Sequence, residues 1–104
     1  MAFKEAQSEV DGWIGQYKEG YWPPLTMLAR LTEEVGELAR ELNHRYGAKP
    51  KKSSEADAEL GLEIADCLYA LICIANSEGI DLDEAFDQMM NKIRTRDDNR
   101  FIKK

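Results

Sequence analysis

Residues 32–66, TEEVGELARELNHRYGAKPKKSSEADAELGLEIAD, decide how this chain folds. They hold two acidic clusters, Glu33, Glu34 and Glu37 in the first half and Glu63 and Asp66 in the second, separated by the short basic loop GAKPKKSS. Apolar residues recur at helical steps on both sides of the loop, and helices joined by so short a connection pack as antiparallel neighbours. Carboxylates that converge between two such helices repel one another unless they are protonated or bridged by a cation. A divalent metal is the natural bridge.

Upstream of the loop the helical pattern reaches back to Pro24, with Leu28, Leu31, Val35, Leu38 and Leu42 at alternating steps of three and four. At about 100° per residue, Glu34, Glu37 and Glu41 share an arc of about 60° on one flank of this seam, and Glu33 falls farther round. The spacing therefore favours Glu34 and Glu37 as co-ligands, with Glu33 as an outer partner that orients water. Gly47 is the expected stop, and Ser53 or Ser54 the expected cap of the next helix ahead of Glu55 and Asp57. On that helix, expected to reach Ser77, Glu59, Glu63 and Asp66 again fall within about 60°. From Cys67 the run CLYALICIA is apolar on nearly every side, as in a helix buried all round in a bundle or at a subunit contact.

Toward the N-terminus, Phe3, Ala6, Val10, Trp13, Ile14 and Tyr17 follow a helical period, which places Trp13 and Tyr17 in the core of a helix over residues 3–17. GYWPP then interrupts, and Pro24 opens the second helix. Toward the C-terminus, Gly79 closes the third helix and Asp81 with Glu84 forms a capping box for a fourth, ending near Arg96. The tail DDNRFIKK is polar and expected to be mobile. No strand pattern or internal repeat occurs, so the fold class is all-α, four helices in one domain spanning residues 1–104.

Composition narrows the functions open to such a domain. With 14 basic and 20 acidic residues the net charge is −6, which disfavours a general grip on nucleic acid or anionic membrane. No apolar run approaches the roughly 20 residues of a spanning helix, and the start lacks the apolar core of a signal peptide, so a cytoplasmic protein is expected. Cys67 and Cys73 stand six apart on one helix, a rise of about 9 Å, and so are expected as reduced core thiols.

An acidic helix is also what a solvated face looks like, with pairs such as Glu41 and Arg45 at i,i+4. The argument for a site is that both clusters occur on consecutive helices, the second beside a fully apolar segment, where carboxylates are costly unless paired or metal-bound. An all-oxygen donor set suits magnesium or manganese. The single histidine, His44, lies outside any Glu-x-x-His motif and is expected at the surface. Tyr21 and Trp22, in the interrupting turn, are candidates to stack on a nucleobase.

The helix LTEEVGELARELNHRYG, the later EIAD and the NKIRTRD that follows resemble the MazG-type nucleotide pyrophosphohydrolases, whose motif is EExxE followed downstream by ExxD. The likeness extends over nearly the whole chain, including the opening EVDGWIGQYKEGYWPPLTMLARL, and is to the short single-domain form. It implies an all-α enzyme that splits a nucleoside triphosphate into monophosphate and pyrophosphate with Mg²⁺, for which Mn²⁺ substitutes. By position it makes Glu34, Glu37, Glu63 and Asp66 metal ligands, Glu33 a residue that holds or activates water, and Lys92 and Arg96 phosphate contacts. It also implies a homodimer or homotetramer. The rival expectation is a helical assembly or nucleotide-sensing module whose metal is only structural.

Overall fold

Two prolines start the helix that organises the rest. In this computed structural model, which describes residues 3–47 and 53–104 with α3 side chains from Glu59 onward, Pro23 sits extended at φ −56° and ψ 149° and its carbonyl accepts from Met27 N–H at 3.0 Å. Pro24, needing no donor at the first helical position, opens α2 (Pro24–Tyr46), which follows α1 (Phe3–Gly15) and precedes α3 (Ser53–Ser77) and α4 (Leu82–Asp97). No strand occurs among the described residues. The basic loop's Lys49, Lys51 and Lys52, and the side chains of Ser53, Ser54, Glu55 and Asp57, lie outside the described residues.

Helix ends fall where backbone chemistry requires. Gly47 stops α2 in extended conformation, and its N–H meets the Asn43 carbonyl so closely that a Cβ would collide with that oxygen and with Asn43 Oδ1. Gly79 closes α3 at φ +70°, with Ile80 N–H donating to the Ala75 carbonyl and Gly79 N–H to the Asn76 carbonyl, a Schellman motif. Asp81 then caps α4 by accepting from the N–H groups of Asp83 and Glu84.

The main packing is α2 against α3, antiparallel as the short connection requires: Met27 and Arg30 lie beside Tyr69, Ala70 and Cys73, while Glu34 lies beside Glu63 and Asp66. α1 packs on α3, and α4 packs principally on α1. Polar contacts lock these ends. Gln7 Nε2 donates to Asn76 Oδ1 and to the Ile80 carbonyl, Asn76 Nδ2 donates to the Gln7 carbonyl, and Leu82 N–H donates to Gln7 Oε1. The Asp83 carboxylate accepts from the backbone N–H groups of Phe3 and Lys4, capping α1 from another helix.

Several expectations need correction here. The helical seam of α2 is only half used within the chain: Met27, Glu34 and Glu41 are buried, whereas Leu28, Val35 and Leu42 are exposed. The acid flank rather than the leucine stripe turns toward α3, so Glu41 is buried at 3% exposure instead of lying on a solvated face. Trp13 and Tyr17 are more than half exposed, not core: α1 ends at Gly15, and its partly buried face is that of Phe3, Ala6, Val10 and Ile14. Their rings pack edge-on at 5.4 Å. His44 is half-buried rather than on the surface. Along CLYALICIA, Ala70, Ile72, Cys73 and Ala75 are buried but Leu68 and Leu71 are open, so one chain does not cover this helix all round. Cys67 and Cys73 are free thiols, the second buried.

One stretch of α3, Glu59–Ser77, is long and apolar enough by length and composition to cross a membrane, with a mean hydropathy of 1.4. That run is longer than the sequence reading allowed. Glu63 and Asp66 lie within it, and a charge at a bilayer centre costs about 2.5–3.5 kcal/mol on insertion scales. Packing against α2 and α1 covers only part of its apolar surface, with Leu62, Ile64, Leu68 and Leu71 left exposed.

The glycines give opposite expectations for one substitution. A Cβ at Gly79 or at Gly12 meets nothing within 4 Å, so only the backbone decides. Gly79→Ala places an L-residue at positive φ and should destabilise by about 1–2 kcal/mol, whereas Gly12→Ala in mid-α1 should stabilise by about 0.5–1 kcal/mol. Urea unfolding midpoints of the two variants should move in opposite directions.

Candidate metal centre

The α2–α3 pairing brings Glu34, Glu37, Glu63 and Asp66 together, with one carboxylate oxygen from each lying within 4.8 Å of all the others. Each helix supplies its two acids three residues apart, on one face, and the antiparallel pairing sets the two faces opposite each other. Glu34 is buried, Glu63 half-buried, and Glu37 and Asp66 exposed, so the cluster opens from core to solvent. Glu33, as its rotation implied, points to solvent beside the cluster.

Electrostatics inside the cluster are unresolved by protein groups alone. Burial, followed by the neighbouring Glu37 carboxylate, pushes the Glu63 carboxyl above its ordinary value of 4.5. Burial and the nearby acids, Glu34 foremost, likewise push the Cys67 thiol up. Arg30 supplies one compensating charge, its Nε donating to Glu34 Oε1 at 2.7 Å. Glu34 Oε2 and Glu63 Oε2 remain buried with no hydrogen-bond partner. Buried acceptors are rarely left so, and an all-oxygen set with two orphaned oxygens fits a hard divalent cation. The donor set therefore suits Mg²⁺ or Mn²⁺, with no sulfur or nitrogen ligand in the group.

Next to the acids lies a cavity of about 190 Å³ walled by Tyr17, Tyr21, Trp22, Met27, Arg30, Tyr69 and Cys73, among others. It is smaller than the roughly 300 Å³ at which drug-sized pockets begin, so it admits a single planar ring system rather than a whole nucleotide. Tyr21 is held in the wall by its hydroxyl, which donates to Asp11 Oδ1 at 2.8 Å and accepts from Asn76 Nδ2 at 3.0 Å. Burial and the Asp11 hydrogen bond raise its pKa to about 12. On the floor, burial raises both Tyr69 and Cys73.

The model of the MazG nucleotide pyrophosphohydrolase domain matches residues 23–101. The chain belongs to the MazG nucleotide pyrophosphohydrolase family. Its relatives include the Bacillus subtilis (strain 168) protein YpjD, 58% identical over 101 residues that make up 97% of this chain and 91% of YpjD. The crystal structure of YpjD from Bacillus subtilis superposes with a TM-score of 0.79 at 61% identity, covering 86% of this chain and 91% of that one. The crystal structure of a Bacillus-conserved MazG protein, a nucleotide pyrophosphohydrolase, matches with a TM-score of 0.78 at 52% identity, covering 90% of each chain. The family's resemblance, read from EExxE and ExxD, is thus established at the level of fold and kinship.

Within this MazG domain the other candidate residues are more dispersed. Tyr21 and Trp22 both line the cavity, Tyr21 half-buried and Trp22 39% exposed. Lys92 and Arg96 are exposed on α4, which leans on α1 rather than on the acid-bearing pair, and Arg96 is engaged by Asp97 in two hydrogen bonds of 3.1 Å. Sequence reasoning did not single out Arg30, Asn76 or Tyr69, and it read Cys73 only as a core thiol. The available signal was a polar residue inside an apolar helical segment: Asn76 closes the CLYALICIA run, and Arg30 interrupts the apolar start of α2.

Because the Glu63 carboxyl is raised, the folded state binds protons more tightly than the unfolded chain. By linkage this group's contribution favours folding at and below pH 4.5 and is lost as pH rises from there through the folded value. Glu63→Gln should remove that dependence. Thermal unfolding in chelator should show the variant at least as stable as the wild type at pH 7.5, with less decline between pH 5 and 7.5. A variant clearly less stable than wild type at pH 7.5 would show that the repulsion is not the governing term.

Proposed function

We propose that this protein is a divalent-metal-dependent hydrolase that cleaves nucleoside triphosphates to nucleoside monophosphate and pyrophosphate, using Mg²⁺, with Mn²⁺ able to substitute. The observation that carries this reading is the set of four carboxylates within 4.8 Å, two of whose oxygens are buried without partners. Glu34, Glu37, Glu63 and Asp66 would hold the cation, which when bound supplies charge neutralisation on the phosphates and a more acidic water. Glu33, beside the cluster and open to solvent, accepts the proton of the attacking water. That water's oxygen bonds to phosphorus in line with the departing oxygen, and the anhydride bond between the α- and β-phosphates breaks. The base lies in the cavity against Tyr21 and Trp22, which is sized for one ring system.

Lys92 and Arg96, one turn apart on α4, are the phosphate contacts in this reading, and they require a second chain. Exposed Leu28, Val35 and Leu42 recur every seven residues on α2, and Leu68, Leu71, Met89 and Ile93 are also open. The radius of gyration is 17.0 Å, against about 13 Å for a compact chain of this size. A homodimer or homotetramer would cover these faces and carry the basic end of one copy's α4 to the acids of another. A purely structural assembly would use the same apolar faces and hold the same cation, and metal-dependent release of pyrophosphate separates the two readings. The acidity, net −6, fits a cytoplasmic protein with no nucleic-acid or membrane partner.

Pyrophosphate release from a panel of nucleoside triphosphates should require Mg²⁺ or Mn²⁺. Glu63→Gln or Asp66→Asn should abolish it with helical content intact, and full turnover in excess chelator would sink the reading. Arg96→Ala should lower kcat/KM by roughly 10- to 1000-fold, Lys92→Ala somewhat less, and Arg94→Ala, off their shared face, hardly at all. Light scattering should find an oligomer at micromolar concentration. Mixing Glu63→Gln with Arg96→Ala subunits should recover part of the activity that each lacks alone, and no recovery would place the phosphate contacts elsewhere.

A further inference from the structure

Among the described residues, Arg30 both hydrogen-bonds to the acidic cluster and walls the aromatic cavity described above. It stands one turn before Glu34 on α2 and donates from Nε to Glu34 Oε1 at 2.7 Å. Its guanidinium carbon lies 5.8 Å from the centroid of the Trp22 ring, a cation–π distance, and its side chain walls the cavity beside Tyr69. A carboxylate ligand with neither oxygen fixed exchanges rotamers, and each cation that it binds must first select one. With Oε1 taken by a planar donor that is itself held over a ring, the direction of the second oxygen is set. That second oxygen, Glu34 Oε2, is the buried atom without a partner.

We propose that Arg30 is the positioning residue of the metal centre: it holds Glu34 with Oε2 presented to the cation, and its place against Trp22 ties that orientation to the wall of the base cavity. This rests on the reading that the cluster binds a divalent cation. Two effects of the guanidinium oppose each other. Its charge repels a cation bound on the far side of Glu34, but Arg30 is partly exposed, with its side chain at 42%, so solvent weakens that repulsion. Its hydrogen bond orients a ligand that is 8% exposed, where outer partners of metal ligands are typically worth about 10- to 100-fold in affinity. Orientation should outweigh repulsion.

The test is Mn²⁺ binding to the full chain without nucleotide, followed by calorimetry or by the electron-spin signal of free Mn²⁺, for wild type, Arg30→Met and Arg30→Lys. Methionine keeps much of the length and packing but donates nothing. Its Mn²⁺ affinity should fall about 10-fold or more, and lysine, which can donate but lacks the planar stack, should lie between. In turnover the methionine variant should recover much of its kcat when Mn²⁺ is raised, as a merely misfolded protein would not. Circular dichroism checks the fold, and if the methionine variant does not fold, the lysine variant carries the test through its weaker binding. Binding as tight as wild type, or tighter, in a folded variant overturns the role of Arg30 while leaving the hydrolase reading in place. A wild type that does not bind Mn²⁺ overturns both.

Discussion

Mutual repulsion among Glu34, Glu37, Glu63 and Asp66 is the constraint around which this domain is arranged. Packing between α2 and α3 holds these groups within 4.8 Å of one another, and among the described residues Arg30 offers the cluster a hydrogen-bonded positive charge. Burial and the neighbouring Glu37 carboxylate raise the Glu63 carboxyl, and an all-oxygen group of this kind suits a hard cation. The stability of the helix pair and the chemistry of the site are therefore opposed in the absence of metal. Four acids held in such a gap cost stability unless protonation or a cation relieves them.

The polar network at the other end of α3 serves the same arrangement. Asn76 and Gln7 tie α1 to the C-terminal end of α3 and the turn after it, and Asn76 with Asp11 fixes the Tyr21 hydroxyl, so this side of the aromatic cavity is set by α1 and by the end of α3 far from the acids. Among the described residues, cavity and acids meet at Arg30, which bonds to Glu34 and lies over the Trp22 ring.

Much of this was legible beforehand, and the misses share a cause. Helix periods, Pro24, Gly79 and Asp81 located α2, α3 and α4 to within a residue or so at their described ends, because caps and breakers act locally. The arcs of Glu34 with Glu37 and of Glu63 with Asp66 predicted which acids could meet. Trp13, Tyr17 and Leu28 were misplaced because an apolar residue at helical spacing reports that a face will be covered, not that its own chain covers it. Glu41 shares the arc of Glu34 and is buried with it, so the competing solvated-face reading fails there.

By itself the sequence determined the all-α class, the helix boundaries, the acid pairs and the kinship that EExxE and ExxD express, since all of these follow from periodicity and short-range chemistry. Only the tertiary structure decided that the acid flank of α2 faces inward, that two carboxylate oxygens are left buried without partners, and that Arg30 bridges cluster and cavity. It also decided that α4, with Lys92 and Arg96, leans on α1 and away from the principal helix pair. These are consequences of the rotation and pairing of whole helices. Such choices depend on the balance of many weak contacts summed over two surfaces, which no local run of residues encodes.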